Sequence, residues 1–143
     1  MTLKYMMVMM WDLPKKIRVI KSDINIVLGA WQMKQMCKKY QSTYVCSDLG
    51  KMVNLNLESL NQGIMPLNGL RHPPEGPSTG WFIWAGREIP QENVKFFQSM
   101  HTSHLVEGRK LFIKYLGLAP GWRFQIDDKG YEDVWFDEKL LED

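Results

Sequence analysis

The stretch GWRFQIDDKGYEDVWFDEKLL, residues 121–141, decides the fold of this chain because it has the pattern of a β-hairpin. Trp122, Phe124 and Ile126 alternate with polar residues, which is the period of a strand with one buried face. The residues that follow, 127–130, read Asp-Asp-Lys-Gly, and this sequence is typical of a tight turn. The stretch therefore predicts two antiparallel strands joined at that turn, with the three apolar side chains buried.

The same region carries a dense acidic run. Residues 127–143 contain eight Asp or Glu against two Lys, a local balance of −6. A hydrophobic core does not require such a run, so we interpret it as a surface that binds a basic partner. The predicted partner-binding residues are six carboxylates on the hairpin and just after it: Asp127, Asp128, Glu132, Asp133, Asp137 and Glu138.

Length and composition indicate a folded protein. A chain of 143 residues with 45% hydrophobic residues is long enough to bury one continuous core. We expect a single domain over 1–143, made of an N-terminal basic portion (1–60), a loop rich in Pro and Gly (61–80) and a C-terminal portion (81–141). Residues 1–80 carry ten Lys or Arg against five Asp or Glu, whereas residues 81–143 carry eight against eleven, so the surface is dipolar.

Two cysteines, Cys37 and Cys46, make neither a disulfide framework nor a zinc site, and they are interpreted as reduced thiols of a cytoplasmic protein. The apolar run at residues 5–11 is far shorter than the roughly 20 residues that span a bilayer, so it predicts a buried strand and no membrane partner. No cofactor is expected.

The remaining patterns predict an α+β fold with an antiparallel sheet, a C-terminal β-hairpin and two to three helices. Apolar residues at near-helical spacing predict a helix over 23–40, with Ile24, Val27, Leu28, Trp31 and Met36 on its buried side. Further strands are expected at 43–46, 52–57 and 81–85, and further helices at 91–100 and 103–116.

The sequence also contains residues that could serve two other functions. His101, His104 and Glu107 have a spacing that could serve a small metal-binding enzyme, but the sequence lacks a zinc-protease signature, and a helix break at 102–103 is expected to separate the histidines. Structural roles for them are favoured, with no metal bound. The C-terminal acids lie in strand alternation and without an apolar pocket, so catalysis by them is not expected either.

The basic N-terminal half raises nucleic-acid binding. Lys15, Lys16, Arg18, Lys38 and Lys39, together with Tyr40 and Tyr44, could supply phosphate contacts and stacking. Charge runs of this size are more often solvated surface, and the acidic C-terminal third would repel a phosphate backbone. Nucleic acid is therefore not the expected partner.

A series of aromatic and glycine landmarks resembles a known family. They are Gly80 to Gly86, Phe96-Phe97, His101 to Leu105, Ile113 to Leu118, Gly121 to Phe124 and Gly130 to Asp137. In this order they are similar to the immunity-protein family numbered thirty-three, found beside bacterial polymorphic toxins, over about residues 80–141. The resemblance implies a cytoplasmic, non-enzymatic antidote that binds and neutralises a cognate toxin. It assigns no toxin-contacting residues.

Overall fold

The computed structural model describes residues 19–87, 95–108 and 110–142. These residues form three α-helices and six strands, together with two short 3-10 turns at Ile113–Tyr115 and Glu138–Leu141. The helices are α1 (Val19–Tyr40), α2 (Leu57–Asn61) and α3 (Thr102–Glu107). The strands are β1 (Met52–Leu55), β2 (Leu67–Arg71), β3 (Ser78–Ala85), β4 (Gln98–His101), β5 (Trp122–Ile126) and β6 (Glu132–Phe136).

The six strands form one sheet in the order β4-β1-β3-β2-β5-β6. Four of the five neighbouring pairs are antiparallel, and β1 with β3 is the parallel pair. The predicted α+β class, the hairpin β5-β6 and the number of helices are confirmed. The parallel pair requires a crossover, which the chain makes through α2 and β2 between β1 and β3.

The hydrophobic core lies between one face of the sheet, here the core face, and α1, α3 and the first 3-10 turn. Its buried side chains come from both layers: Met33, Met36 and Cys37 from α1; Leu105 and Val106 from α3; Val53, Leu55, Leu67, Trp81, Ile83, Phe124 and Ile126 from the sheet. Strand alternation directs Phe82 and Trp84 to the opposite side, here the second face. Phe97 contacts both of these rings edge-on.

Helix α1 confirms the helix predicted over 23–40 and begins four residues earlier, but its buried side differs from the prediction. Val27 and Trp31 were expected to face the core, and both are exposed. The buried residues are Leu28, Met33, Met36 and Cys37, since the helix packs along a neighbouring stripe against α3 and the first 3-10 turn.

The segment 61–80 was predicted to be a loop, and this is wrong for residues 67–71 and 78–80. Strand β2 occupies the centre of the sheet and carries Gly69 on the core face, opposite Phe124 and Ile83. A Cβ at Gly69 would lie 2.3 Å from the Phe124 ring. Because a larger side chain would collide with Phe124, β2 requires glycine at position 69. The sequence pattern had instead indicated a loop at this glycine.

Other predicted elements changed type or length. Residues 98–100 were expected to end a helix, and they belong to β4, which pairs with β1. The helix expected over 103–116 is replaced by α3 and a separate 3-10 turn. Residues 43–46 make one isolated bridge, Tyr44 with Leu118, where a strand was expected, and β1 ends at Leu55 because Asn56 caps α2. The strand predicted at 5–11 and the start of the helix predicted from 91 lie outside the described residues.

A buried arginine on β2 links neighbouring backbone segments through hydrogen bonds. Arg71 is 1% exposed, and its guanidinium donates to the carbonyls of Thr79 (3.0 Å), Val45 (2.8 Å) and Leu118 (2.8 Å). Burial lowers the pKa of Arg71 to about 10, which leaves it charged at neutral pH. The side chain thus ties the segment after α1 and the segment before β5 to the centre of the sheet.

Candidate functional site

The hairpin that carries the predicted partner-binding acids is built as the sequence indicates. Phe124 and Ile126 are buried and Trp122 is half-buried against the core. Strand β6 pairs in register with β5, from Trp122 opposite Phe136 to Ile126 opposite Glu132. Residues that face each other across an antiparallel pair lie on the same side of the sheet, so Glu132 lies on the core face and Asp133 on the second face.

Asp127 forms the turn of the hairpin. Its Oδ1 accepts hydrogen bonds from the backbone N–H groups of Lys129 (2.8 Å) and Tyr131 (2.9 Å). Gly130 has a φ of 98°, a conformation that favours glycine. The Asp127 carboxylate is therefore occupied by local backbone donors, as expected of an Asp that starts a turn.

Glu132 connects the hairpin to the end of α1. Its Oε1 lies 3.0 Å from Lys39 Nζ and also accepts a hydrogen bond from the Tyr40 hydroxyl. Burial alone raises the pKa of Glu132, but the hydrogen bonds from Tyr40 and Lys39 outweigh it and bring the pKa below its ordinary value. Glu132 thus has a structural role, which its position in an acidic run did not indicate.

Asp137 is held at the end of β6. Its Oδ2 accepts a hydrogen bond from Arg123 Nη1 at 3.1 Å, and its Oδ1 accepts from the Lys139 N–H at 3.1 Å, which caps the last 3-10 turn. The hydrogen bond from Arg123 lowers the pKa of Asp137. The Arg123 guanidinium lies 5.3 Å from the centre of the Trp135 ring, so this arrangement also orders the second face of the hairpin.

The other three predicted acids, Asp128, Asp133 and Glu138, are exposed and make no hydrogen bond or ion pair with any residue that the structure describes. Two large side chains accompany them, Tyr131 at 48% exposure and Phe136 at 50%. These five residues are here called the hairpin surface. By the strand register, Phe136 lies on the core-face side with Trp122 and Asp133 lies on the second face, so the hairpin surface extends over both sides of the edge strand β6. Its exposed rings supply apolar area and its carboxylates supply charge.

The histidines expected to be structural do not share a helix. His101 ends β4 and precedes α3, whereas His104 lies within α3, and their ring centres are 6.3 Å apart. The two histidines therefore lie on different elements, but the break predicted at 102–103 is wrong in position, because Thr102 and Ser103 are the first two residues of α3 and a strand precedes them. Both are exposed, and no group of three or more His, Cys, Asp or Glu side chains suited to a metal ion occurs within residues 19–87, 95–108 and 110–142.

The other candidate residues also have structural positions. Cys37 is buried, its thiol donates to the Gly117 carbonyl at 3.2 Å, and burial raises its pKa, so it is a core residue. Lys39, a candidate for phosphate contact, is paired with Glu132, and its Nζ lies 5.2 Å from the Tyr40 ring centre. Lys15, Lys16 and Arg18 lie outside the described residues.

A groove on the second face was not anticipated from the sequence. It has a volume of 590 Å³ and lies between the turn that precedes β3 and the last 3-10 turn, with Glu75 on the first side and Glu142 on the other. These two carboxylates are 67 positions apart, so no local sequence pattern relates them.

Comparison with known proteins gives one match. The sequence model of the family described as "Imm33-like domain" matches residues 32–137, and so extends well before residue 80, where the resemblance in the sequence began. No curated protein and no solved structure matches. Among the described residues, no helix has both the length and the apolar character needed to cross a bilayer.

Proposed function

The chain belongs to the Imm33-like family of immunity proteins, and from this premise we propose that it binds a cognate protein toxin in the bacterial cytoplasm and neutralises it without catalysis. The observation that carries the proposal is the match over residues 32–137, which include α1 from its middle onward and every strand of the sheet. Immunity by binding requires a stable surface that matches the toxin.

The hairpin surface is our candidate for the toxin contact. Asp128, Asp133 and Glu138 project from a scaffold that Asp127, Glu132 and Asp137 hold in place through hydrogen bonds. Carboxylates without a partner among the described residues are available to pair with an incoming molecule, and a rigid scaffold loses little conformational entropy on binding. A toxin with a basic surface, such as one that acts on nucleic acid, fits this arrangement.

The six predicted acids therefore have two different roles in the proposed interface. Asp128, Asp133 and Glu138 supply charge to the interface, and Tyr131 and Phe136 supply apolar area. Asp127, Glu132 and Asp137 support the surface and, being half-buried, contribute less directly to contact.

Neutralisation in cells tests the function. Bacteria that express the product of the gene adjacent to this one should stop growing, and co-expression of this chain should restore growth. The two purified proteins should also elute together in gel filtration. Growth arrest that persists although this chain is folded and abundant would contradict the proposal.

The His101 and His104 variants serve as a control for that experiment. Replacing both histidines by Asn should leave protection unchanged, because neutralisation by binding needs no metal chemistry from them. Loss of protection with the toxin complex still formed would favour an enzymatic role.

A further inference from the structure

The groove on the second face has two fixed walls. Pro73 and Pro74 lead into a tight turn in which the backbone groups of Glu75 and Ser78 bond to each other. On the opposite side, the Leu140 carbonyl accepts a hydrogen bond from His72 Nδ1 at 3.1 Å, which fastens the last 3-10 turn to the first wall. The volume of 590 Å³ lies within the range of about 300–1,000 Å³ typical of ligand sites.

The charges of the groove select a cation. Glu75 and Glu142 are both exposed, and neither side chain has a hydrogen bond or ion pair with the part of the chain that the structure describes. The described lining contains no Lys or Arg, and the imidazole of His72 directs Nδ1 to a carbonyl. An anion would be repelled by the two carboxylates, whereas a cation in the groove would be attracted by both of them.

The lining also contains apolar side chains, beside the polar Asn54, His72 and Ser78. Phe82 forms part of the floor, Pro73 and Pro74 line one wall, and Leu140 and Leu141 line the other. A ligand that fits must therefore combine a positive end with an apolar stem. Arg satisfies both requirements: its planar guanidinium donates to two carboxylates at once and packs against aromatic and proline surfaces, which the compact, strongly hydrated ammonium of Lys does less well.

We propose that this groove binds an arginine side chain presented by a protein partner. The inference rests on the toxin-binding function proposed above, in which the arginine belongs to the toxin. The groove contains Glu142, close in sequence to Glu138 of the hairpin surface, so one partner could reach both.

Titration of the full chain with N-acetyl-arginine amide tests the groove without the toxin. In ¹H–¹⁵N NMR spectra we expect saturable shifts at Glu75, Ser78, Gly80 and Glu142. N-acetyl-citrulline amide, which has nearly the same shape and no charge, should give none. The double variant Glu75→Gln/Glu142→Gln should weaken binding about tenfold, the size expected for losing two exposed charge pairs.

The matched control is Asp23→Asn/Glu58→Gln, which changes the net charge equally at exposed positions outside the groove lining and the hairpin surface and should bind the arginine probe as the parent chain does. Equal shifts with the citrulline probe, an unchanged affinity in the groove variant, or no shifts at all would each overturn the arginine site. Because neutralisation in cells is measured separately, a failure here is distinguishable from a failure of the toxin-binding function.

Discussion

Trp81 and Trp84 lie three residues apart on β3 and face opposite sides of the sheet, and they differ in how their indole N–H is satisfied. Trp81 Nε1 donates to the Leu116 carbonyl at 3.0 Å. Trp84 Nε1 is buried and has no hydrogen-bond partner among the described residues. A buried donor without a partner loses its hydration with no compensation, so the two side chains contribute differently to stability.

We predict that Trp81→Phe lowers the free energy of unfolding more than Trp84→Phe does, by about 1 kcal/mol, the typical net value of one hydrogen bond. Both substitutions remove the same atoms from buried sites, which makes each the control for the other. Urea unfolding followed by circular dichroism measures the difference. An equal or larger loss for Trp84→Phe would show that the hydrogen bond to Leu116 is not what distinguishes them.

The roles of some single residues could not be predicted from the sequence. The acidic run was visible in the sequence, but the division between structural and unpaired carboxylates was not. Glu132 is structural because of Lys39 and Tyr40, more than 90 positions away, and neither the spacing nor the charge of the run indicates that pairing. Reversing Glu132 would disturb the scaffold, so Asp128 and Asp133 are the better positions for testing the surface.

Among the elements, those set by local patterns were predicted and those set by distant partners were not. The hairpin β5-β6 follows from alternation around a turn, and α1 follows from helical spacing. Strand β2 was missed because Gly69, which a local reading assigns to a loop, makes room for Phe124 of β5. The stripe that α1 buries likewise depends on α3 and the first 3-10 turn, which the sequence does not place.

The contact between α1 and β6 predicts a pH dependence of stability. The pKa of Glu132 in the folded protein lies below its ordinary value of about 4.3, so the folded state favours the ionised form. That stabilisation is fully present above the unfolded pKa and is lost as the pH falls through the folded pKa. Between pH 7 and pH 3.5 we therefore expect the urea midpoint to fall less in Glu132→Gln than in the parent chain.

Asp133→Asn is the matched control for this prediction. Asp133 is the neighbouring residue and is exposed, so its variant should keep the pH dependence of the parent chain. Part of the pH dependence of the urea midpoint should remain in Glu132→Gln, since hydrogen bonding also lowers the pKa of Asp137. Identical pH profiles for the Glu132 and Asp133 variants would mean that the contact with Lys39 and Tyr40 does not stabilise the fold.

In the molecule as a whole, the two faces of the sheet have different surroundings. Its core face is closed by helices, while the second face and the C-terminal hairpin carry the unpaired carboxylates and the groove. Opposite charges across an interface accelerate encounter more than they slow dissociation. Substitutions in the hairpin surface should therefore change the association rate of the toxin complex and the dependence of that rate on salt.

The most direct measurement is the association rate of Asp128→Lys/Asp133→Lys with the toxin, compared with Asp23→Lys/Glu58→Lys, which changes the net charge equally at exposed positions outside the hairpin surface. We predict that the hairpin variant associates about tenfold more slowly at low salt with a nearly unchanged dissociation rate, that the control stays close to the parent chain, and that added salt reduces the difference. Equal association rates for the two folded variants would contradict the assignment of the hairpin surface as the toxin contact.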